Sequence, residues 1–156
     1  MQYVTSSGGD AGCIFCASLE SDSEADAGIL YRDETVFAIL NAFPYNTGHL
    51  MIAPRVHIGE LGELGPNVRA DLMELVARSV EIVTEAMSPG GFNVGMNLGH
   101  VAGAGVPGHL HVHVVPRWGG DTNFMTTVGD TKVLPEMLSE TYAKLRPGFE
   151  SPTAAG

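Results

Sequence analysis

His109-Leu110-His111-Val112-His113-Val114-Val115 decides how this chain is to be read. Side chains alternate sides along an extended strand, so the three histidines share one face while Leu110, Val112 and Val114 turn the other way, into a core. Three imidazoles on one sheet face are costly to bury unless each has a partner. Two chemistries answer to the pattern. Imidazoles two residues apart can converge on a zinc ion, or one can act as a nucleophile beside flanking donors for an anion. The preceding loop, Asn97 to Gly108, favours the second. Its Gly99, Gly103, Gly105 and Gly108 let backbone N–H groups come close to phosphate oxygens, and a catalytic zinc needs no such loop.

Outward from this stretch the chain reads as short strands around one helix. Phe92 to Met96 form a strand before the glycine loop, and His109 to Val115 form the histidine strand, stopped by Pro116. Pro66 to Met87 carry a helical period: Leu72, Val76, Val80, Val83 and Met87 make an apolar stripe flanked by Leu75, Ile82 and Ala86. Asp71, Glu74, Arg78, Glu81 and Glu85 recur on the opposite side, and Ser88-Pro89-Gly90-Gly91 ends the helix. Further upstream, Ile29–Arg32 and Val36–Leu40 flank an Asp33-Glu34 turn, and His49–Ala53 form a third strand, stopped by Pro54. A last short helix is expected from Pro135 to Leu145, and the acidic stretch Glu20 to Asp26 reads as a solvated loop. Short strands with tight connections favour an antiparallel sheet. The expectation is one α+β domain over residues 13–146, with a flexible N-terminus over 1–12 and a flexible tail over 147–156.

Composition narrows the function. The 156 residues are 44% hydrophobic and 17% charged, a globular balance. No run approaches the apolar length of a membrane span and the first residues lack a signal-peptide pattern, so a cytoplasmic protein without a membrane partner is expected. Eight basic against eighteen acidic residues give a net charge of −10, which argues against nucleic-acid binding. Any phosphate site must therefore be built locally, from histidines and backbone N–H groups. The two cysteines, in Cys13-Ile14-Phe15-Cys16, do not make a disulfide framework; metal ligation, redox chemistry and simple burial all remain open for them.

The ordered set of motifs resembles the histidine-triad family. The marks are the H-x-H-x-H stretch followed by two apolar residues, Cys13-Ile14-Phe15-Cys16, Asn41…Pro44…Gly48-His49-Leu50…Pro54, Gly91 through Gly99, and Pro116 through Phe124. Together they span Cys13 to Leu145, and the stretch from Gly91 to Phe124 is most similar to the bacterial diadenosine tetraphosphate hydrolase/phosphorylase branch. The resemblance implies a five-stranded antiparallel sheet with one long central helix and a short C-terminal helix, assembled as a homodimer. It implies a nucleotide substrate, a diadenosine polyphosphate, cleaved through a covalent AMP intermediate on His111, with water or phosphate as acceptor. His113, Asn97 and the backbone at Gly105 and Val106 would hold phosphate, and Asn41 the ribose. Ile14, Phe15 and Leu40 would form the adenine pocket, with His49 supporting the strand from behind.

For the cysteines the resemblance implies a structural zinc held by Cys13, Cys16, His57 and His109, with no catalytic metal. His100 has no motif assignment and reads as a loop histidine at the rim. One departure stands out. Many members carry Gln-Ser or Gln-Thr before the triad, whose hydroxyl assists the leaving group; here that place is Ala104-Gly105. A phosphoramidase acting on AMP–amine adducts, and a nucleotide-binding protein with weak turnover, are the competing readings.

Overall fold

A computed structural model describes residues 12–122, 124, 128–129 and 136–152. The expected N-terminal segment 1–12 lies, but for Gly12, outside the described residues. Five antiparallel strands, β1 (Ile29–Arg32), β2 (Val36–Leu40), β3 (Leu50–Pro54), β4 (Gly91–Gly95) and β5 (Val112–Arg117), make one sheet in the order β1-β2-β3-β5-β4. The long helix α3 runs Pro66–Met87, with the bounds its periodicity predicts, and a C-terminal helix α4 runs Leu138–Glu150.

Strand alternation sorts the sheet into two faces. Val36, Ala38 and Leu40 of β2, Leu50 and Ile52 of β3, and Val112 and Val114 of β5 pack beneath Leu72, Leu75, Val76 and Val83 of α3. Phe37, Ile39, Met51 and Ala53 turn to the other face, where they meet Cys13 and Phe15. The histidines of β5 and its approach lie on this second face, because Val112 and Val114 occupy the first. Val80 and Met87 pack at the margin of the α3 core, whereas Ala86 is exposed.

Several expected boundaries move. Pro54 and Pro116 do not stop their strands but end them from within. β3 and β5 pair over three rungs, Leu50↔Val114 to Ile52↔Val112, and the two prolines lie just beyond opposite ends of that ladder. Each is flanked there by one partner only, Val36 of β2 and Phe92 of β4 respectively. A residue without an N–H is tolerated where one side of the ladder has ended. His109, Leu110 and His111 precede the ladder as irregular chain. The acidic stretch is no solvated loop: Ser23 caps a short helix α2 (Glu24–Ala27), and Glu24 pairs with Arg32 at 2.7 Å and Arg146 at 2.9 Å. A further helix, α1 (Ile14–Leu19), carries Phe15 and Cys16.

The C-terminal boundary at 146 is set too early. α4 continues through Pro147 to Glu150, and Phe149 is buried in the α3 core. Arg78 of α3 donates to the Phe149 and Ser151 carbonyls and lies over the Tyr31 ring, fastening the helix end. Gly148 permits the approach: a Cβ there would sit 2.6 Å from Ile82 Cγ2. Gly→Ala inside a helix normally gains roughly 0.5–1 kcal/mol, but overpacking against a β-branched side chain costs about 1–3 kcal/mol. Gly148→Ala should therefore lower the thermal midpoint, and the penalty should vanish in an Ile82→Ala background. A rise in the midpoint of the single variant would show that α4 does not dock here.

Candidate functional site

The second sheet face gathers five imidazoles in two groups. His109 is fully buried and His111 nearly so, with His113 next on the face. Phe15, brought in by α1, lies against both of the first two, ring centroids 5.0 Å from His109 and 4.9 Å from His111. His49, also fully buried, stands beside His113.

Hydrogen bonds fix which nitrogen of each ring carries the proton. His111 Nδ1 lies 2.8 Å from the His109 carbonyl oxygen, which can only accept, so Nδ1 is the donor and Nε2 keeps a lone pair. Burial lowers the pKa of His111, opposed by that same bond. Around His113 the proton direction is set from the backbone. The Tyr45 N–H donates to His49 Nδ1 at 3.0 Å, so His49 carries its proton on Nε2. That Nε2–H donates to His113 Nδ1 at 2.9 Å, leaving His113 with a proton on Nε2, a neutral donor. Burial, then the neighbouring His111, pushes the His113 pKa down to about 4.

The loop before the triad is held close by the segment after β3. The Leu110 N–H donates to the Ile58 carbonyl at 2.7 Å. A Cβ on Gly59 would fall 2.4 Å from the Pro107 oxygen, so the two chains touch backbone to backbone. Within the loop, Ala104 is buried and Val106 packs into the Phe15 cluster. The N–H groups of Gly105 and Val106 have no internal acceptor among the described residues. Asn97 donates to the Gly103 carbonyl at 3.4 Å, and His100 is exposed in a 3-10 turn, His100–Ala102.

Cys13, Cys16, His57 and His109 form a second cluster, their ligand atoms all within 4.8 Å of one another, close enough to hold a metal ion. Cys13 Sγ is 3.3 Å and Cys16 Sγ 3.6 Å from His109 Nδ1, and Cys16 Sγ is 3.4 Å from His57 Nδ1. The Pro54 carbonyl accepts from His109 Nε2–H at 2.8 Å, so the Nδ1 lone pair faces the thiols.

Of the residues singled out from sequence, Phe15, His111, His113, His49 and Asn41 follow one another in contact, whereas Leu40 lies apart. Leu40 packs under α3, on the face away from the histidines, and cannot line a pocket beside His111. Ile39 takes that place, on the Phe15 side. Every residue of β2 is buried, so hydropathy does not show which alternate set faces which way. Asn41 is buried; its Oδ1 accepts from the Phe43 N–H at 2.9 Å and its Nδ2 lies 3.4 Å from His49 Nδ1. Ile14 is 52% exposed, on the outer side of α1. Sequence reading passed over Tyr45, whose ring lies on His49 at 5.0 Å, and the pair Arg117–Asp121, bonded through both carboxylate oxygens. The Asp121 carboxyl is held well below its usual range, by Arg117 first. Spacing of four residues was the available signal for that pair.

Known proteins agree with this arrangement. A family profile described as the HIT domain matches residues 22–120. An AP-4-A phosphorylase of Mycobacterium tuberculosis is 44% identical over 119 residues, covering 76% of this chain and 61% of that protein, so the chain spans rather less than two thirds of its length. An uncharacterized HIT-like protein of Methanocaldococcus jannaschii is 34% identical over 130 residues, covering 82% of this chain and 97% of that one. Among solved structures, a Zn-bound histidine triad family protein from Mycobacterium smegmatis superimposes with a TM-score of 0.73 at 29% identity, covering 90% of this chain and 95% of the other. Five antiparallel strands, a shared face of triad imidazoles and these relatives together make the chain a member of the histidine-triad, or HIT, family.

Proposed function

We propose that this chain cleaves diadenosine polyphosphates, diadenosine tetraphosphate in particular, through an AMP–His111 intermediate, with water or inorganic phosphate as acceptor. One observation carries the reading: His111 donates Nδ1–H to the His109 carbonyl and so keeps a lone pair on Nε2, in a ring that lies against the neutral donor His113. A similar protein is named AP-4-A phosphorylase, and a more distant one bis(5'-nucleosyl)-tetraphosphatase. In the first step Nε2 attacks the α-phosphorus, the bond to the bridging oxygen breaks, and its electron pair leaves on the polyphosphate. In the second an acceptor oxygen attacks the same phosphorus, the P–N bond breaks with its electron pair returning to Nε2, and a proton lost by a water acceptor passes to that nitrogen or to solvent.

His113 Nε2–H, Asn97 and the N–H groups of Gly105 and Val106 supply donors to the non-bridging oxygens, where charge spreads during transfer. Asn41, with a second lone pair on Oδ1, binds ribose, and adenine rests on Phe15 and Ile39 with Ile14 at the rim. The absence of a hydroxyl at Ala104-Gly105 favours a polyphosphate over an AMP–amine adduct. A polyphosphate departs as a stable anion, whereas an amine must be protonated as it leaves. An adenosine 5'-monophosphoramidase is nonetheless among the similar proteins, which keeps that substrate as the second reading.

The four-residue cluster we assign to a structural zinc. Zn–S of about 2.3 Å and Zn–N of about 2.05 Å at tetrahedral angles place S and N about 3.6 Å apart; the sulfur–nitrogen separations of 3.3, 3.4 and 3.6 Å match. Bound there, zinc would tie α1 to the chain before β5. Thiols kept as ligands suit the reducing cytoplasm, where we place the protein. We also assign a homodimer, supported by β4, which edges the sheet with Asn93, Val94 and Gly95 exposed.

Three measurements test these assignments. His111→Ala should lower turnover of diadenosine tetraphosphate by at least about a thousandfold, and the wild type should carry trapped AMP on that residue; a fully active variant sinks the mechanism. Elemental analysis should find one zinc per chain, with chelation or Cys13→Ser lowering the thermal midpoint; metal-free protein with an unchanged midpoint refutes the assignment. Lastly, unfolded His113 takes up a proton near 6.5 but folded His113 only at about 4. Between these values the unfolded chain binds the extra proton, so stability falls as pH falls. His113→Asn should flatten this loss between pH of about 6.5 and about 4, and an unaltered slope would show that burial does not hold His113 neutral.

A further inference from the structure

Past His113 the histidine face opens into a cleft of about 470 Å³, lined among others by Tyr45, Asn93, Asn97, Arg117 and Thr122. Along β5 the cleft follows His113, Val115 and Arg117, opposite Gly95, Asn93 and Gly91 of β4. The four steps from His113 to Arg117 give it about 13 Å of length. That is far more room than an orthophosphate needs, and the volume falls within the range of about 300–1,000 Å³ common to small-molecule sites.

Charge decides what the far end can hold. Arg117 donates Nε and Nη2 to the two carboxylate oxygens of Asp121, at 2.7 and 2.8 Å, and Nη1 to Asn93 Oδ1 at 2.7 Å. Its charge is matched in place, and the chain as a whole carries −10. A polyanionic group is therefore not favoured at that end, whereas an uncharged ligand with hydrogen-bonding edges is. Tyr45 supplies the matching surface. The residue is 59% exposed and lines the cleft, and its ring is backed by the buried His49 at an interplanar angle of 21°. An exposed aromatic ring on a rigid support takes a nucleobase without reading its identity, while amide and hydroxyl groups such as Thr122 suit a ribose.

The order of groups across the face is also telling. Phe15 lies 4.9 Å from His111, His111 lies 4.9 Å from His113, and Tyr45 lies 6.1 Å from His113. Aromatic ring, two imidazoles, aromatic ring repeats the layout base, phosphates, base. We infer that the cleft is a second nucleoside subsite, which seats the nucleoside of the departing polyphosphate with Tyr45 as its stacking surface. The inference rests on His111 being the residue that accepts the AMP group. Tyr45 acts as a specificity-determining residue, and its side chain takes no part in bond making.

The test compares diadenosine tetraphosphate with adenosine 5'-tetraphosphate, which has the same phosphate chain but lacks the second nucleoside. Wild-type kcat/KM should favour the dinucleotide by about tenfold or more, the scale of one stacked base. Tyr45→Leu should remove most of that preference and Tyr45→Phe should keep it. Equal kcat/KM for the two substrates in the wild type overturns the inference while leaving the function intact. So does a Tyr45→Leu variant that loses activity on both substrates in the same proportion, which would mark support of His49 as the role of Tyr45. Failure of the wild type to cleave either substrate at the α-phosphorus refutes the proposed function, and this subsite with it.

Discussion

His109 is gripped at both of its functional ends, and the site is organised around that grip. Its ring donates to the Pro54 carbonyl and turns a lone pair toward two thiols, while its own carbonyl accepts from His111. The residue thus belongs to two centres. What anchors its ring positions its carbonyl, and what positions its carbonyl selects the tautomer of His111. Phe15 repeats the coupling through packing, since it lies between the two cysteines in sequence and against His109 and His111 in space. A side-chain amide could hold His111 Nδ1 as well, but only the backbone carbonyl of His109 links that ring to the cluster of Cys13, Cys16 and His57.

For an acidic chain, the polyphosphate substrate proposed above poses a problem of field, and the donors assigned to it are neutral groups. None of the donors assigned to phosphate is a lysine or arginine. They are one imidazole N–H, one amide and two backbone N–H groups, all short-range dipoles effective where water is thinned out. Arg117, which lines the cleft with His113, is paired with Asp121 and braces the turn after β5, together with Asn46, which donates to Asp121 and to the Pro116 carbonyl. Local dipoles of this kind would hold phosphate without adding a positive field that binds polyanions indiscriminately.

The fold was largely legible because its strongest signals are periodic. Alternation in the histidine strand separates the histidine face from the core face, and the stripe through Leu72, Val76 and Val83 marks α3. What escaped has physical reasons. The strand ends were misjudged because proline forbids only an N–H bond, and Pro54 and Pro116 sit where no such bond is asked of them. Leu40 was assigned to the wrong face because β2 is buried on both sides and its hydropathy does not alternate. The helical end at Glu150 was missed because Pro147 reads as a stop. Its lost N–H costs less than Phe149 gains by reaching the α3 core and Arg78 gains by closing the last carbonyls. The tautomer of His113 had no signal at all in the sequence, since it depends on a backbone N–H.

That last dependence explains why a backbone group suits the end of the histidine relay. Were His113 to take a second proton, both of its nitrogens would donate, and His49 would have to turn its own proton away from Nε2. The proton would then sit on Nδ1, facing the Tyr45 N–H, donor against donor. A side-chain hydroxyl could rotate to accept, and the relay would tolerate either state. A peptide N–H cannot, so protonating His113 breaks a buried hydrogen bond wherever the extra proton is placed. Burial and the peptide therefore act in the same direction. They hold His113 as a neutral donor, facing the place where the proposed mechanism puts a phosphate oxygen.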